Sequence, residues 1–296
     1  MRKLISGKII SSQINEELRK EVKHLKTKNI EPCLAVVLVG EDPASEVYVR
    51  NKKKTCEEIG IRSLGHNLIN TTTQEELETL IQRLNSDPKV NGILCQFPLP
   101  EHLDETQIIQ TIAPEKDVDG LHPVNAGLIA MGKPKFISCT PYGVLQMLKR
   151  SGISTSGKNV VVLGRSNLVG RPIATLLSSK SWDATVTVCH SRTSDLAEVT
   201  SQADILIAAI GIPEFVKGHM VKDGAVVIDV GINRIDDPTK AKGTRLVGDV
   251  FFEDVEAKSS FITPVPGGVG PMTISMLMVN TANAARWQNG LTEMDL

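Results

Sequence analysis

Tyr48 and Lys52 are the first residues of this sequence whose types and spacing could do chemistry. A spacing of four in a predicted helix places the phenol and the ammonium group on one face, within reach of one substrate. Lys53 and Lys54 crowd positive charge around Lys52, which disfavours its charged form and lowers its pKa. A lysine with a lowered pKa can exchange protons near neutral pH. The alternative is a solvated basic helix face, whose lysines pair with the glutamates four residues later.

Gln96 and Asp119 carry groups that suit a heterocyclic substrate. Gln96 ends an apolar run before Pro98 and Pro100, and its carboxamide offers both a donor and an acceptor. Alternatively, the same carboxamide caps backbone groups of the following turn. The carboxylate of Asp119 could bind paired N–H donors, as on an aminopyrimidine. Asp119-Gly120 is also a turn signal, however, and an Asx turn alone would explain it.

A stretch that alternates proline and glycine precedes the last predicted helix, from Pro264 to Pro271. Its central residues are Pro266, Gly267 and Gly268. Glycines let the backbone approach a ligand closely, while prolines stiffen a loop. The stretch therefore indicates a substrate-binding loop, and a plain interdomain linker is the alternative.

A glycine turn between Val160 and Pro172 has the form of an anion site. The apolar run breaks at Gly164, and a helix is predicted to begin near Gly170. A strand, a glycine turn and a helix N-terminus direct free N–H groups and the helix dipole at one spot, as in dinucleotide sites. Ser166 replaces the middle glycine of that fingerprint, and Gly170 comes one residue late. An ordinary strand-to-helix turn remains the alternative.

His190, Ser191 and Arg192 follow the next predicted strand and indicate which dinucleotide would bind. NAD sites have an acidic residue at this strand end for the ribose hydroxyl, whereas a nearby arginine accommodates the 2′-phosphate of NADP. Here the acid is absent, a hydroxyl and a cation are present, and Arg165 adds a second cation in the glycine turn. The sequence therefore favours NADP.

Two other enzyme classes are disfavoured. Gly164-Arg-Ser166 begins like the nucleophile elbow of a serine hydrolase, but Leu168 occupies the place of the second glycine. The six histidines have no metal-ligand spacing, and the five cysteines form no C-x-x-C pair. We therefore expect neither a metal site nor a disulfide framework.

Length and composition indicate an ordinary globular protein with room for two domains, since 296 residues exceed a typical domain size. Apolar residues make up 41% and charged residues 23% of the chain. The 33 basic and 34 acidic residues nearly cancel, so we expect no nucleic-acid partner. No secretory signal and no apolar run of membrane-spanning length is recognised, which predicts a reduced, cytoplasmic protein without a membrane partner.

Helical and strand-like patterns alternate along the chain, which predicts an α/β fold with parallel sheets. The predicted helices are 12–27, 44–58, one from Thr73 with a Thr72/Glu75 capping box, 124–131, one from about Pro141, one from about Gly170, and 272–288. The predicted strands are 33–39, 61–68, 90–96, 160–163, 185–189, 205–209 and 226–230.

The candidate residues cluster just past the carboxyl ends of predicted strands, where open parallel sheets bind ligands. A change of composition near residue 138 predicts a boundary between two domains at that point. Two such domains with facing carboxyl edges would flank one cleft.

Taken together, these stretches resemble the bifunctional methylenetetrahydrofolate dehydrogenase/methenyltetrahydrofolate cyclohydrolase (FolD) family. The matching blocks keep the family order from end to end of the chain: Tyr48-x-x-x-Lys52-x-Lys54, Glu58-Ile-Gly-Ile61, Gln96-Phe-Pro-Leu-Pro100, Pro114 to Gly127, Gly164 to Pro172, and Pro264 to Thr273. Phe97 stands where the family often has an aliphatic residue, which we expect to alter packing more than chemistry.

The resemblance implies a folate-binding catalytic domain, 1–138, that is completed by the C-terminal helix 272–296. It also implies a Rossmann-type domain, 139–271, that binds NADP, and a homodimer. It implies NADP-dependent oxidation of 5,10-methylenetetrahydrofolate and hydrolysis of the methenyl product to 10-formyltetrahydrofolate, within one-carbon metabolism and purine biosynthesis. Lys52 would be the catalytic lysine, with Tyr48 and Gln96 as partners, and Asp119 would hold the pterin. The implied cofactor contacts are Gly164, Arg165, Ser166, Ser191 and Ile232. A monofunctional dehydrogenase and a non-catalytic NADP-binding sensor are the alternatives.

Overall fold

The computed structural model describes residues 3–240 and 243–294, and the chain divides into two compact units. The first unit contains Met1–Ser11, Ile129–Lys133 and Thr140–Thr273, and the second contains Ser12–Leu128, Pro134–Cys139 and Ile274–Leu296. The first unit corresponds to the predicted domain 139–271, and the second unit to the predicted domain 1–138 with the C-terminal helix. The structure differs from the prediction in that Met1–Ser11 and Ile129–Lys133 belong to the first unit.

Strands and helices alternate along most of the described chain, as the patterns predict, except for one run of three helices and one run of three strands. The strands are β1 (Lys3–Leu4), β2 (Cys33–Val39), β3 (Arg62–Leu68), β4 (Gly92–Cys95), β5 (Asn159–Leu163), β6 (Thr185–Cys189), β7 (Ile205–Ala208), β8 (Val226–Asp229), β9 (Asn233–Asp236), β10 (Thr244–Val247) and β11 (Phe261–Ile262). The helices are α1 (Gly7–Thr27), α2 (Pro43–Ile59), α3 (Gln74–Ser86), α4 (Glu105–Thr111), α5 (Pro123–Ala130), α6 (Cys139–Arg150), α7 (Gly170–Leu177), α8 (Leu196–Thr200), α9 (Phe252–Glu256) and α10 (Val269–Gln288). Within the described ranges no helix is long and apolar enough to cross a membrane.

The first unit is built on a parallel sheet with the strand order β1-β11-β8-β7-β5-β6. The strands β7 and β8 are entirely buried, as expected when both faces of a parallel sheet are covered. The chain leaves β5 for β6 on one side and returns to β7 on the other. The carboxyl ends of β5 and β7 therefore flank the switch point at which doubly wound sheets bind ligands.

The second unit contains a parallel sheet with the order β3-β2-β4. All seven residues of β2 are buried, which explains why this strand has no polar alternation. Helix α3 packs Leu77, Leu80, Ile81 and Leu84 into the same core, and Phe97 packs against its margin. The parallel sheets of both units confirm the predicted α/β class.

Several predicted boundaries are wrong by one residue or more. The capping box of α3 is formed by Thr73 and Glu76, one residue later than predicted, because Thr73 is the extended residue before the first turn. The third strand is shorter, Gly92–Cys95. The last helix begins earlier than predicted, at Val269, because proline is accommodated in its first turn. The first helix also begins earlier, at Gly7, because the carbonyl of Gly267 accepts the amide of Lys8.

Candidate active site

Lys52 and Gln96 meet in the second unit. Helix α2 carries Tyr48 and Lys52 one turn apart, and Gln96 directly follows β4. The Lys52 Nζ donates to Gln96 Oε1 at 2.9 Å, while Gln96 Nε2 donates to the Phe97 carbonyl at 2.6 Å. The backbone bond thus orients the carboxamide so that its oxygen faces the lysine. Gln96 therefore caps the turn, as one interpretation of its position predicts, and it also contacts the candidate base, while its contact with a heterocycle stays a prediction.

The pKa of Lys52 is lowered, as predicted, but the predicted cause is wrong. Burial of the half-buried ammonium group is the main cause, and the nearby carboxylate of Asp119 opposes it. Lys53 and Lys54 are exposed, and Lys54 reaches Glu58 at 3.8 Å. Water therefore screens the neighbouring lysines, whereas the loss of water around Lys52 directly disfavours its charge.

Asp117, rather than Asp119, holds the turn that the sequence signals. The carboxylate of Asp117 accepts the backbone N–H groups of Leu121 and His122 at 3.2 and 2.8 Å, and the side-chain amide of Asn125 at 2.8 Å. Burial raises the pKa of Asp119, and the charge of Lys52 counteracts that rise. Asp117, not Asp119, therefore stabilises the turn. The Asp119 carboxylate interacts electrostatically with Lys52.

Cys139 and Asn280 belong to this site but were missed by the sequence analysis. Asn280, on α10, donates to the carbonyls of Val118 and Ile137 at 2.8 and 3.0 Å, which ties together the segments that precede Asp119 and Cys139. Burial, followed by the charge of Asp119, raises the pKa of the Cys139 thiol. No local motif marks either residue, since their contacts come from distant parts of the chain.

The glycine turn of the first unit is built by close contacts. Gly164 has φ +121°, and a Cβ there would lie 2.2 Å from the Ala209 carbonyl oxygen. A Cβ at Gly170 would lie 2.2 Å from the Gly164 carbonyl oxygen. Gly170 therefore lets α7 pack directly on the turn, which is the role of the third glycine in a dinucleotide fingerprint.

Ser166 stands in the middle of that turn, where its hydroxyl has a structural partner. Ser166 Oγ accepts the backbone N–H groups of Val169 and Gly170 at 3.1 and 3.4 Å. The hydroxyl thereby stabilises the start of α7 in the absence of a conventional N-cap. The serine is thus compatible with the turn rather than a defect in it.

The remaining residues predicted to contact a cofactor surround the carboxyl ends of the sheet. Arg165, Ser191 and Arg192 are exposed after β5 and β6, and Ile232 is 43% exposed after β8. Arg165 and Arg192 supply two guanidinium groups and Ser191 a hydroxyl, and none of the three is acidic. These donors fit a phosphorylated ribose. The residues present are therefore suited to hold NADP.

Pro266, Gly267 and Gly268 lie in the first unit, between β11 and α10. The Gly267 carbonyl accepts the amide of Lys8 at 3.2 Å, so the loop is anchored to the start of α1. This anchoring is more than a plain linker requires. Lys52, Gln96 and Asp119 are brought together in the second unit, whereas these three loop residues are not part of that unit.

Comparison with known proteins identifies matches over both halves of the chain. The model "Tetrahydrofolate dehydrogenase/cyclohydrolase, catalytic domain" matches residues 5–119, and its "NAD(P)-binding domain" counterpart matches residues 138–289. The bifunctional protein FolD of Agathobacter rectalis is 56% identical over 286 residues, which cover 97% of this chain and 100% of the relative.

Solved structures agree with these matches. The bifunctional enzyme FolD (methylenetetrahydrofolate dehydrogenase/cyclohydrolase) from Campylobacter jejuni is 50% identical with a TM-score of 0.93, and the match covers 98% of this chain and 100% of that one. FolD from Trypanosoma brucei, complexed with NADP cofactor and inhibitor, is 41% identical with a TM-score of 0.92 and coverages of 97% and 98%. The chain therefore belongs to the tetrahydrofolate dehydrogenase/cyclohydrolase family, as its sequence motifs predict.

Proposed function

We propose that the protein oxidises 5,10-methylenetetrahydrofolate with NADP and hydrolyses the resulting methenyl compound to 10-formyltetrahydrofolate. Membership of the family supports both activities. The observation that carries the hydrolytic step is the contact of Lys52 with Gln96, in surroundings that lower the lysine pKa. In a monofunctional dehydrogenase Lys52 would serve substrate binding only.

Lys52 acts as the proton carrier of the cyclohydrolase step. The methenyl substrate is cationic, so a neighbour that stayed fully charged would oppose its binding, whereas burial favours the neutral amine. Water adds to the methenyl carbon and gives one proton to the Lys52 amine. The new ammonium group then protonates the ring nitrogen as its C–N bond breaks. The remaining hydroxyl proton leaves to solvent as the formyl carbonyl forms.

Gln96 and Tyr48 direct this proton transfer. Because Gln96 Oε1 accepts one N–H of Lys52, the nitrogen lone pair of the neutral amine points away from the carboxamide. Tyr48 lies one turn before Lys52 and is 43% exposed, so its phenol is accessible to a substrate. We assign Asp119 to the N–H donors of the pterin, and Pro266, Gly267 and Gly268 to substrate contacts.

The first unit holds the dinucleotide, which supplies a hydride acceptor when it is bound. Gly164, Ser166 and Gly170 form the turn for the pyrophosphate. Arg165 and Arg192 neutralise the 2′-phosphate, and the Ser191 hydroxyl donates a hydrogen bond to it. Ile232 lies on the segment after β8 and contributes an apolar surface. The presence of NADP in the Trypanosoma brucei structure supports this choice of cofactor.

A two-step absorbance assay tests the proposal. Methylenetetrahydrofolate and NADP should yield NADPH, and methenyltetrahydrofolate supplied alone should be consumed without any nucleotide. Dehydrogenase turnover without methenyl hydrolysis would identify a monofunctional dehydrogenase. NADP binding without either turnover would identify a non-catalytic sensor.

We further propose a cytoplasmic homodimer that supplies formyl groups for purine biosynthesis. The β6 edge of the six-stranded sheet is partly uncovered, with Val188 39% exposed, which is compatible with a partner strand. The molar mass in solution, measured by light scattering, tests the dimer: a mass near 32.1 kDa would contradict it.

A further inference from the structure

Two carboxylates lie buried in the first unit and take no part in the chemistry described above. Asp229 is the last residue of β8 and is 3% exposed, and Asp249 follows β10 and is fully buried. Burying a carboxylate is costly unless hydrogen bonds replace its water. The partners of these two groups therefore indicate what they stabilise.

Asp229 holds the segment that contains Asp249. Its Oδ1 accepts the backbone N–H groups of Gly231 and Asp249 at 3.0 and 2.9 Å, and its Oδ2 accepts that of Val250 at 3.0 Å. The Asp229 amide donates to Thr263 Oγ1 at 2.7 Å. These bonds fix the backbone of residue 249 relative to the carboxyl end of β8.

Asp249 in turn holds two loops. Its Oδ2 accepts the backbone N–H groups of Ile210 and Gly211, after β7, at 2.7 and 2.9 Å. Its Oδ1 accepts the side-chain amide of Asn233, after β8, at 2.9 Å. One carboxylate thus joins the chain segments that leave two neighbouring strands.

Both loops lie at the carboxyl edge where the dinucleotide is proposed to bind. The loop after β7 contacts the glycine turn, since its Ala209 carbonyl oxygen lies 2.2 Å from where a Cβ of Gly164 would be. In a doubly wound sheet the half containing β5 and β6 takes the adenosine end, so the half beyond the switch point takes the other nucleotide. The two loops held by Asp249 belong to that second half.

We propose that Asp249 is a positioning residue for the nicotinamide half of the cofactor site. It acts through the backbone of Ile210 and Gly211 and through Asn233, and Asp229 holds it in place. The inference rests on the proposed NADP-dependent activity and adds residues that no motif of the sequence identified.

Asp249→Asn is the test, because the new amide has one acceptor oxygen and no charge for the three N–H donors that the carboxylate now binds. With its oxygen towards Ile210 and Gly211, its NH₂ meets Asn233, whose amide must turn over to accept it, and the reverse orientation places the NH₂ against two backbone N–H donors. We expect the KM for NADP to rise about tenfold, which corresponds to about 1.4 kcal/mol. The affinity for adenosine 2′,5′-bisphosphate, which carries only the adenosine half, should stay unchanged. Methenyl hydrolysis assayed without NADP should also stay unchanged.

An exchange of donor and acceptor provides the rescue. The double variant Asp249→Asn with Asn233→Asp restores an acceptor opposite the new amide and keeps the net charge, so the KM for NADP should return towards the wild-type value. Asp254→Asn is the matched control, since the Asp254 carboxylate also accepts a glycine N–H, that of Gly218 at 2.6 Å, but lies on α9. This control should leave the KM for NADP unchanged.

Several results would overturn the inference. An unchanged KM for NADP in Asp249→Asn would do so, and so would a parallel loss of hydrolysis and adenosine bisphosphate binding, which indicates general damage. If Asp249→Asn does not fold, Asn233→Ala, which keeps both carboxylates, must raise the KM for NADP without affecting hydrolysis. A wild-type protein without NADP-dependent turnover would instead refute the proposed function.

Discussion

Replacing Lys52 with methionine tests the proposed proton carrier most directly. Methionine has a similar length but neither a charge nor a transferable proton. Lys52→Met therefore removes the proton transfer and preserves most of the packing. General acid–base catalysis contributes about 10²- to 10⁴-fold to a rate, and we expect cyclohydrolase kcat to fall by that factor.

The structure also sets the expected effect on folding. An ordinary lysine with a pKa of 10.5 is neutral in only about one molecule in a thousand at pH 7.5, and burial of Lys52 raises this fraction. The variant loses the 2.9 Å bond to Gln96 but no longer has to bury a charge. These effects oppose one another, so the free energy of unfolding should change by about 1 kcal/mol or less.

The assay follows the loss of methenyltetrahydrofolate absorbance without nucleotide, and NADP affinity is measured in parallel. Lys54→Met is the matched control, because Lys54 lies on the same helix but its side chain is 73% exposed. It should retain full hydrolysis. Hydrolysis at the wild-type rate in Lys52→Met, or an equal loss in both variants, would refute the assignment of Lys52.

Three further predictions concern the first unit. Ser191→Asp adds an acid after β6, so the ratio of kcat/KM for NADP over NAD should fall about tenfold or more, and an unchanged ratio would reject the 2′-phosphate argument. Gly170→Ala places a methyl group 2.2 Å from a carbonyl oxygen. It should lower the free energy of unfolding, measured with urea, by about 1–3 kcal/mol and abolish NADP binding. Gly127→Ala, whose methyl group would have nothing within 4 Å, should have neither effect. Burial, reinforced by the facing Asp249 carboxylate, raises the pKa of Asp229 from 3.8 to about 7, so the folded state keeps a proton that the unfolded state releases in this range. The free energy of unfolding should therefore fall by about 4 kcal/mol as pH rises through that window, and Asp229→Asn, which has no proton to release there, should lack this slope.

Long apolar runs and local spacing made much of the fold predictable. The strand β2 is apolar at every position because it is buried on both faces, and its bounds were predicted without error. The spacing of Tyr48 and Lys52 correctly placed both residues on one helix, because a helical period is a local property. The spacing between Gly164 and Gly170 was recognisable because it too is a local property of the sequence.

Features that depend on distant partners could not be read from the sequence. Asn280 lies 162 positions from Val118, and nothing near either residue predicts their hydrogen bond. The lowered pKa of Lys52 was attributed to adjacent lysines because burial, its real cause, arises only when the unit folds. Strands of two residues such as β1 and β11 are too short to show any alternation.

The pairing of β1 with β11 has a consequence for the biosynthesis of the protein. Lys3 and Leu4 are synthesised before their partners Phe261 and Ile262, which follow 258 positions later. The six-stranded sheet can therefore be completed only after β11 has been made, and closing so long a loop slows folding. Once β11 has been made, its edge stays unpaired until Lys3 and Leu4 pair with it, and an unpaired edge can recruit a foreign strand. Removing residues 3–5 should leave the same edge open permanently and make the protein prone to aggregate.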